Sequence, residues 1–207
     1  MQSSHPLKYA ALAFATVLAT LATSTSALAA DGVRVRGTVV SVADDTLVVK
    51  SREGANVSIH LNLGWKAGGI AKAKLADIKQ GDFVGIASLP GASGPDGALE
   101  VLIFPPAMRG TGEGSYGWDL KPNSSMTNGA VSEAVQSVDG TTVNVVYHGQ
   151  SKKIVIAPST PIVTFAPAVN ADVKPGVAVF VPADRADDGK LSTTRVVVGK
   201  DGLVPPM

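Results

Sequence analysis

Apolar and polar positions alternate over residues 33–42. Val33, Val35, Gly37 and Val39 fall on one side; Arg34, Arg36, Thr38 and Val40 fall on the other. A period of two predicts a half-buried strand. Asp44-Asp45 supplies a turn, and the β-branched run 46–50 predicts the second strand. Val57, Ile59 and Leu61 then alternate with Ser58, His60 and Asn62. Residues 71–78 predict a helical turn, and strands follow at 84–86 and 98–104. Later in the chain the same reading predicts strands at 130–138, 143–148, 152–157, 177–181 and 191–198.

The two series are copies. Ser41-Val42 returns as Ser137-Val138, 96 positions on. Ala76-Asp77-Ile78-Lys79-Gln80-Gly81 returns as Ala171-Asp172-Val173-Lys174-Pro175-Gly176, 95 positions on. Two anchors at nearly one offset indicate a duplication. Five short strands with a helical turn between the third and fourth predict a small OB-like Greek-key barrel. The expected fold is therefore all-β: two tandem barrels, residues 30–104 and 129–207, joined by a strap over 105–128.

That strap lacks either period, and structureless loops of such length are usually functional or disordered. It carries side chains that bury (Met108, Tyr116, Trp118, Leu120, Met126) and four glycines, so we read it as ordered. Two expectations follow. In one, Tyr116 and Trp118 form a stacking floor while Arg109, Glu113 and Asp119 orient a ligand. In the other, Trp118 and Met108 plug the groove between barrels, Arg109 pairs with Glu113 or Asp119, and nothing binds. Glu113 and Asp119 are also the weak candidates for a hard cation, with backbone carbonyls completing the shell.

The pattern Ala76-Asp77-Ile78-Lys79, Gly81-Asp82 and Val84, with its Gly/Asp turn and last strand, resembles an exported bacterial domain family of unknown function. The strap sequence, from Phe104-Pro105-Pro106-Ala107-Met108-Arg109-Gly110-Thr111-Gly112-Glu113-Gly114 through Trp118-Asp119-Leu120 to Ser125-Met126-Thr127-Asn128, resembles a tandem-domain subgroup of it. The resemblance implies an OB-like barrel. Members are often labelled metal ABC transporter permease, so metal handling enters as the alternative role. No segment after the first thirty residues resembles a membrane span.

The first thirty residues have their own grammar. Lys8 precedes an apolar run over 9–22, and Ala27-Leu28-Ala29 ends the segment. This is the layout of a secretory signal peptide, with cleavage expected after Ala29. The expected location is periplasmic or secreted. Removing residues 1–29 removes Lys8, so the formal charge of +1 for all 207 residues becomes zero. Residues 30–104 hold eight bases and eight acids, and residues 129–207 hold seven of each. Neutral barrels argue against nucleic acid, which demands a basic groove with stacking aromatics. With no cysteine, there is neither a disulfide framework nor a thiolate metal site.

Catalytic templates fail. Gly110-Thr111-Gly112-Glu113-Gly114 is followed by no Gly-Lys-Ser/Thr, so it is no phosphate loop. Glu113 stands where a nucleophile elbow needs glycine. His60 and His148 have no same-turn partner for a triad or zinc site. The turn Asp184-Arg185-Ala186-Asp187-Asp188-Gly189 lacks the closing glutamate of a calcium loop. The expectation is a non-enzymatic binding protein with no cofactor, whose partner is an envelope protein or a small ligand. The alternative is a metal- or small-ligand-binding accessory protein using the strap.

Overall fold

The alternation over residues 33–42 builds a longer strand than expected, β1 (Asp31–Ala43). The computed structural model describes residues 31–137 and 140–207. The expected export signal, residues 1–29, lies outside the described residues, as does Val138. The other strands are β2 (Thr46–Ser51), β3 (Asn56–Lys72), β4 (Phe83–Leu89), β5 (Asp96–Ile103), β6 (Gly114–Gly117), β7 (Ser125–Ser137), β8 (Gly140–Tyr147), β9 (Gln150–Ile156), β10 (Ile162–Ala166), β11 (Ala178–Arg185) and β12 (Leu191–Gly199). The helical elements among the described residues are three 3-10 turns, at Leu75–Asp77, Pro106–Met108 and Asn170–Asp172. No described helix is long and apolar enough to cross a membrane.

The protein is all-β, with a closed five-stranded barrel and further strands. In the barrel, β1 lies between β2 and β11, β2 pairs with β3, β11 with β12, and β12 runs parallel to β3. Closure leaves no free edge. Its interior holds Val35, Val39, Leu47, Val49, Ile59, Val181, Val196 and Val198. A second circuit runs β4-β7-β8-β9 and returns to β4 through β5. Its closing contact is short: β5 and β9 meet in parallel at Asp96–Ile154 and Gly97–Val155. It encloses Val84, Ile86, Val101, Val131, Val143 and Ile154.

The tandem reading expected each barrel to use consecutive strands from one segment; the closed barrel does not. Its strands come from both halves: β1–β3 precede the strap and β11–β12 follow it. Reciprocally, β4 and β5 pair into the circuit of β7–β9. Alternation specifies which face a strand buries but not which strand lies beside it. Two copies of one pattern therefore allow each β-hairpin to complete the other copy's circuit.

The copies match in detail. β10 pairs antiparallel with β3, setting Phe165 opposite Ile70, its equivalent 95 positions earlier. The parallel pair Val196–Ala67 is matched by Val101–Ile162. Both first strands shift register, between Val39 and Ser41 and between Val131 and Glu133, so Val39 corresponds to Val131, 92 positions on. The Ser41-Val42 and Ser137-Val138 anchor, 96 apart, does not mark equivalent positions because the β7–β8 arm is longer. In the repeated Ala-Asp motif, Asp77 accepts the Lys74 N–H (2.7 Å) and Asp172 the Val169 N–H (2.9 Å), closing each 3-10 turn. The glycine ending each motif then donates across the exchange, Gly81 to the Val131 carbonyl (2.8 Å) and Gly176 to the Val39 carbonyl (2.9 Å).

Two equivalent glycines admit the second strand of each copy. A Cβ at Gly129 would meet the Val146 carbonyl oxygen at 2.5 Å and Val145 Cγ1 at 2.8 Å; one at Gly37 would press on the Lys50 carbonyl and on Val49. Neither obstacle is a flexible side-chain end. Gly37→Ala and Gly129→Ala are each expected to destabilise by about 3 kcal/mol in denaturant melts. Gly117→Ala, where nothing lies within 4 Å, stays within about 0.5 kcal/mol of the parent. Unequal penalties at Gly37 and Gly129 would break the equivalence.

The strap is more structured than its sequence suggested. Residues 105–128 hold a 3-10 turn, β6 and the start of β7, and β6 pairs with β7 from Gly114–Asn128 to Gly117–Ser125. The unforeseen β10 is short and lies between Pro161 and Pro167, residues that argue against a strand. Residues of both circuits (Ile70, Phe83, Leu102, Phe180 and Val197) meet Phe104, Val163 of β10 and Met207 in a third apolar cluster.

Candidate functional site

The face of β1 that turns away from the barrel interior carries Arg34 and Arg36. Across the β1–β11 ladder, Arg36 stands opposite Phe180. Arg36 is 9% exposed, and Asp119 meets it with both oxygens, Nη2–Oδ1 at 2.7 Å and Nη1–Oδ2 at 3.1 Å. Paired forks of this kind add orientation as well as strength. Arg34 lies 3.8 Å from the same carboxylate. Its guanidinium sits 4.0 Å from the centre of the Trp118 ring, close enough for a cation–π contact. Trp118 also neighbours Phe180 (6.5 Å between centroids) and Tyr116 (6.3 Å).

Local chain chemistry puts Trp118 and Asp119 there. Asn123 takes a positive φ of 62°, which its short polar side chain tolerates. Ser124 is buried, its hydroxyl 2.7 Å from the Lys121 carbonyl and 2.9 Å from that of Trp118, and the Trp118 N–H donates to the Ser124 carbonyl. The Asn128 side-chain amide reaches the Gly112 carbonyl and the Tyr116 hydroxyl, both at 3.1 Å, tying the glycine turns to β7. Burial of Asp119 would raise its pKa, but the Arg36 hydrogen bonds and the charges of Arg36 and Arg34 outweigh it and hold the carboxyl below its ordinary range. Tyr116 moves up, chiefly through burial.

A second carboxylate lies deeper. Glu100 on β5 is 1% exposed, and neither oxygen has a hydrogen-bond partner among the described residues. Burial pushes its pKa up to about 7, against the charges of Arg36 and Arg52. Trp118 Nε1 is likewise buried without a hydrogen bond.

The candidates from the sequence fall into two groups. Tyr116, Trp118 and Asp119 come together, around the two arginines of β1. Arg109 and Glu113 go elsewhere: Arg109 Nη1 donates to the Gly81 carbonyl (2.6 Å), and Glu113 Oε1 accepts the His148 N–H (2.9 Å). His148 occupies the turn after β8 with φ 43°, and His60 lies exposed, 3.4 Å from Asp45. Among the described residues no group of three His, Cys, Asp or Glu side chains could hold a metal. Arg34, Arg36, Arg52 and Glu100 were not candidates. The signals were present: two arginines on one strand face, and one acid inside the apolar run Leu99 to Phe104.

Trp118 joins the third apolar cluster together with Met108, Phe165 and Leu203. Trp118→Ala is expected to cost about 3 kcal/mol in thermal or denaturant melts. It should also expose Arg34 and Phe180; a change below about 1 kcal/mol would show that the ring lies on the surface without supporting it.

Comparison of the chain with protein families, curated proteins and solved structures finds no match.

Proposed function

We propose that the chain is an exported, non-enzymatic binding protein that meets an envelope partner on the face built by Arg34, Tyr116, Trp118 and Asp119. The observation that carries this reading is the gathering of the strap's aromatic residues over the two arginines of β1. Tyr116 remains 40% exposed and the Asp119 side chain 46% exposed. An aromatic pair with arginine and a polar rim is the composition that protein interfaces favour. In this reading the two circuits are OB-like barrels with exchanged hairpins. Their strand order, the parallel contact between third and last strands, and the 3-10 turn before the fourth strand support it. The resemblance to the exported domain family agrees with the same architecture.

The alternative is a periplasmic metal- or small-ligand-binding accessory role. It needs Arg109, Glu113 and Asp119 to converge, and their bonds to Gly81, His148 and Arg36 argue against that. The test is metal analysis of purified residues 30–207, with thermal shifts against a metal and metabolite panel. The expected result is no stoichiometric metal and no shift. A bound metal or a shift that Glu113→Gln or Asp119→Asn abolishes would overturn the interaction reading in favour of the accessory role.

A further inference from the structure

The chain leaves β12, turns through Asp201 (φ 53°) and Gly202 (φ 74°), and sends residues 203–207 back along the seam where the two circuits meet. The segment is not a strand. Its one backbone hydrogen bond at the start joins the Leu203 N–H to the Lys200 carbonyl at 2.9 Å. From there arginine side chains grip it by its main chain. Arg52 Nη2 donates to the Pro205 carbonyl at 3.1 Å, and Arg36 Nε donates to the Met207 carbonyl.

Burial alternates along the segment. Val204 is 60% exposed, Pro205 is buried, and Met207 is 7% exposed among Phe83, Leu102, Phe104 and Phe180. Donors fixed on main-chain carbonyls, with seats for alternate side chains, are the means by which proteins read extended peptides. Consecutive prolines lower the entropic cost of such binding because they hold the chain extended beforehand.

We propose that this seam is a binding site for an extended, proline-containing segment of a partner protein with an apolar side chain at the Met207 position. Residues 203–207 occupy the site in the unbound protein. The proposal rests on the reading of the chain as a binding protein. The seat adjoins the Trp118 face through Arg36 and the third apolar cluster, and peptide binding by the shortened protein is scored apart from the metal and metabolite assay of that face.

The test removes residues 203–207 and titrates the shortened protein calorimetrically with the synthetic peptide Leu-Val-Pro-Pro-Met, after circular dichroism confirms the fold. The expected result is saturable one-to-one binding. It should weaken at least tenfold when the peptide's methionine is replaced by aspartate. It should weaken at least tenfold in the intact chain, whose own segment competes. A folded, shortened protein that ignores the peptide, or that takes the aspartate peptide equally well, overturns the proposal. As a second variant, the intact chain carrying Met207→Asp is expected to accept the peptide that the parent excludes. Should both variants fail to fold, residues 203–207 are a fixed part of the seam, and the proposal falls. A dimer of the intact chain that dissociates on removal of 203–207 would assign the seat to a second copy, and would overturn it as well.

Discussion

Replacing Glu100 with glutamine is expected to stabilise the protein at pH 8 by about 3 kcal/mol. The sign follows from the direction of its shift. In the fold, burial raises the pKa of Glu100 to about 7, while the unfolded chain releases the proton near its ordinary value of 4.5. Between these values the folded protein binds the extra proton, so stability falls as pH rises through the window and levels off above about 7. Glutamine mimics the protonated acid and removes that slope. The opposing charges are Arg36 on β1 and Arg52 beyond β2, and Arg36 keeps Asp119 as its partner in the variant. The measurement is denaturant unfolding of parent and variant at pH 5, 6, 7 and 8. Parallel curves, with no convergence toward pH 5, would mean that Glu100 is already ionised in the fold.

Cutting the strap is expected to leave the protein in one piece. A protease site placed between Gly110 and Gly112, whose positive φ angles of 84° and 59° mark exposed turns, divides the chain after β5. One fragment then carries β1–β5 and the other β6–β12, so each fragment contributes strands to both circuits. Separation would break the ladders β1–β11, β3–β12, β4–β7, β5–β10, β3–β10 and β5–β9 together, and open all three apolar clusters. The nicked protein should co-elute as a single species in size-exclusion chromatography. Its melting temperature should become concentration-dependent, because unfolding now releases two chains. Two consecutive independent barrels would instead separate on cleavage into two folded pieces, with melting independent of concentration.

Much of the strand content was legible. Val33 to Val39 alternates cleanly because one face of β1 is the barrel interior, and Val57, Ile59 and Leu61 do so for the same reason. The repeated Ala-Asp motif was legible as a repeat because its aspartate and glycine each have one backbone task. What stayed hidden was partnership. Val101 and Val196 read alike in sequence, and nothing local says that each lies beside a strand of the other copy. β3 was legible only to Asn62 because Gly64 (φ 77°) and Gly68-Gly69 interrupt its apolar pattern. In the site, Trp118 and Asp119 stood out as an aromatic and an acid in a glycine-rich stretch. Their partners Arg34 and Arg36 looked like the wet face of an amphipathic strand, and only the fold shows that this face is covered. Glu100 stood inside an apolar run, but an acid in a closing strand is ordinarily turned to water, so the sequence did not single it out.

The sharing of strands from both halves of the chain also sets an order in which the circuits can be completed. The circuit of β4, β5 and β7–β9 has all its strands once Ile156 has been made. The barrel opens with the first described strand and waits for β11 and β12, residues 178–199, to close it. Until then β1–β3 have an exposed apolar face and two unpaired edges, the condition in which a nascent chain depends on escort. Among the described strands, β1–β3 are thus made first, and the barrel they belong to is the circuit completed last.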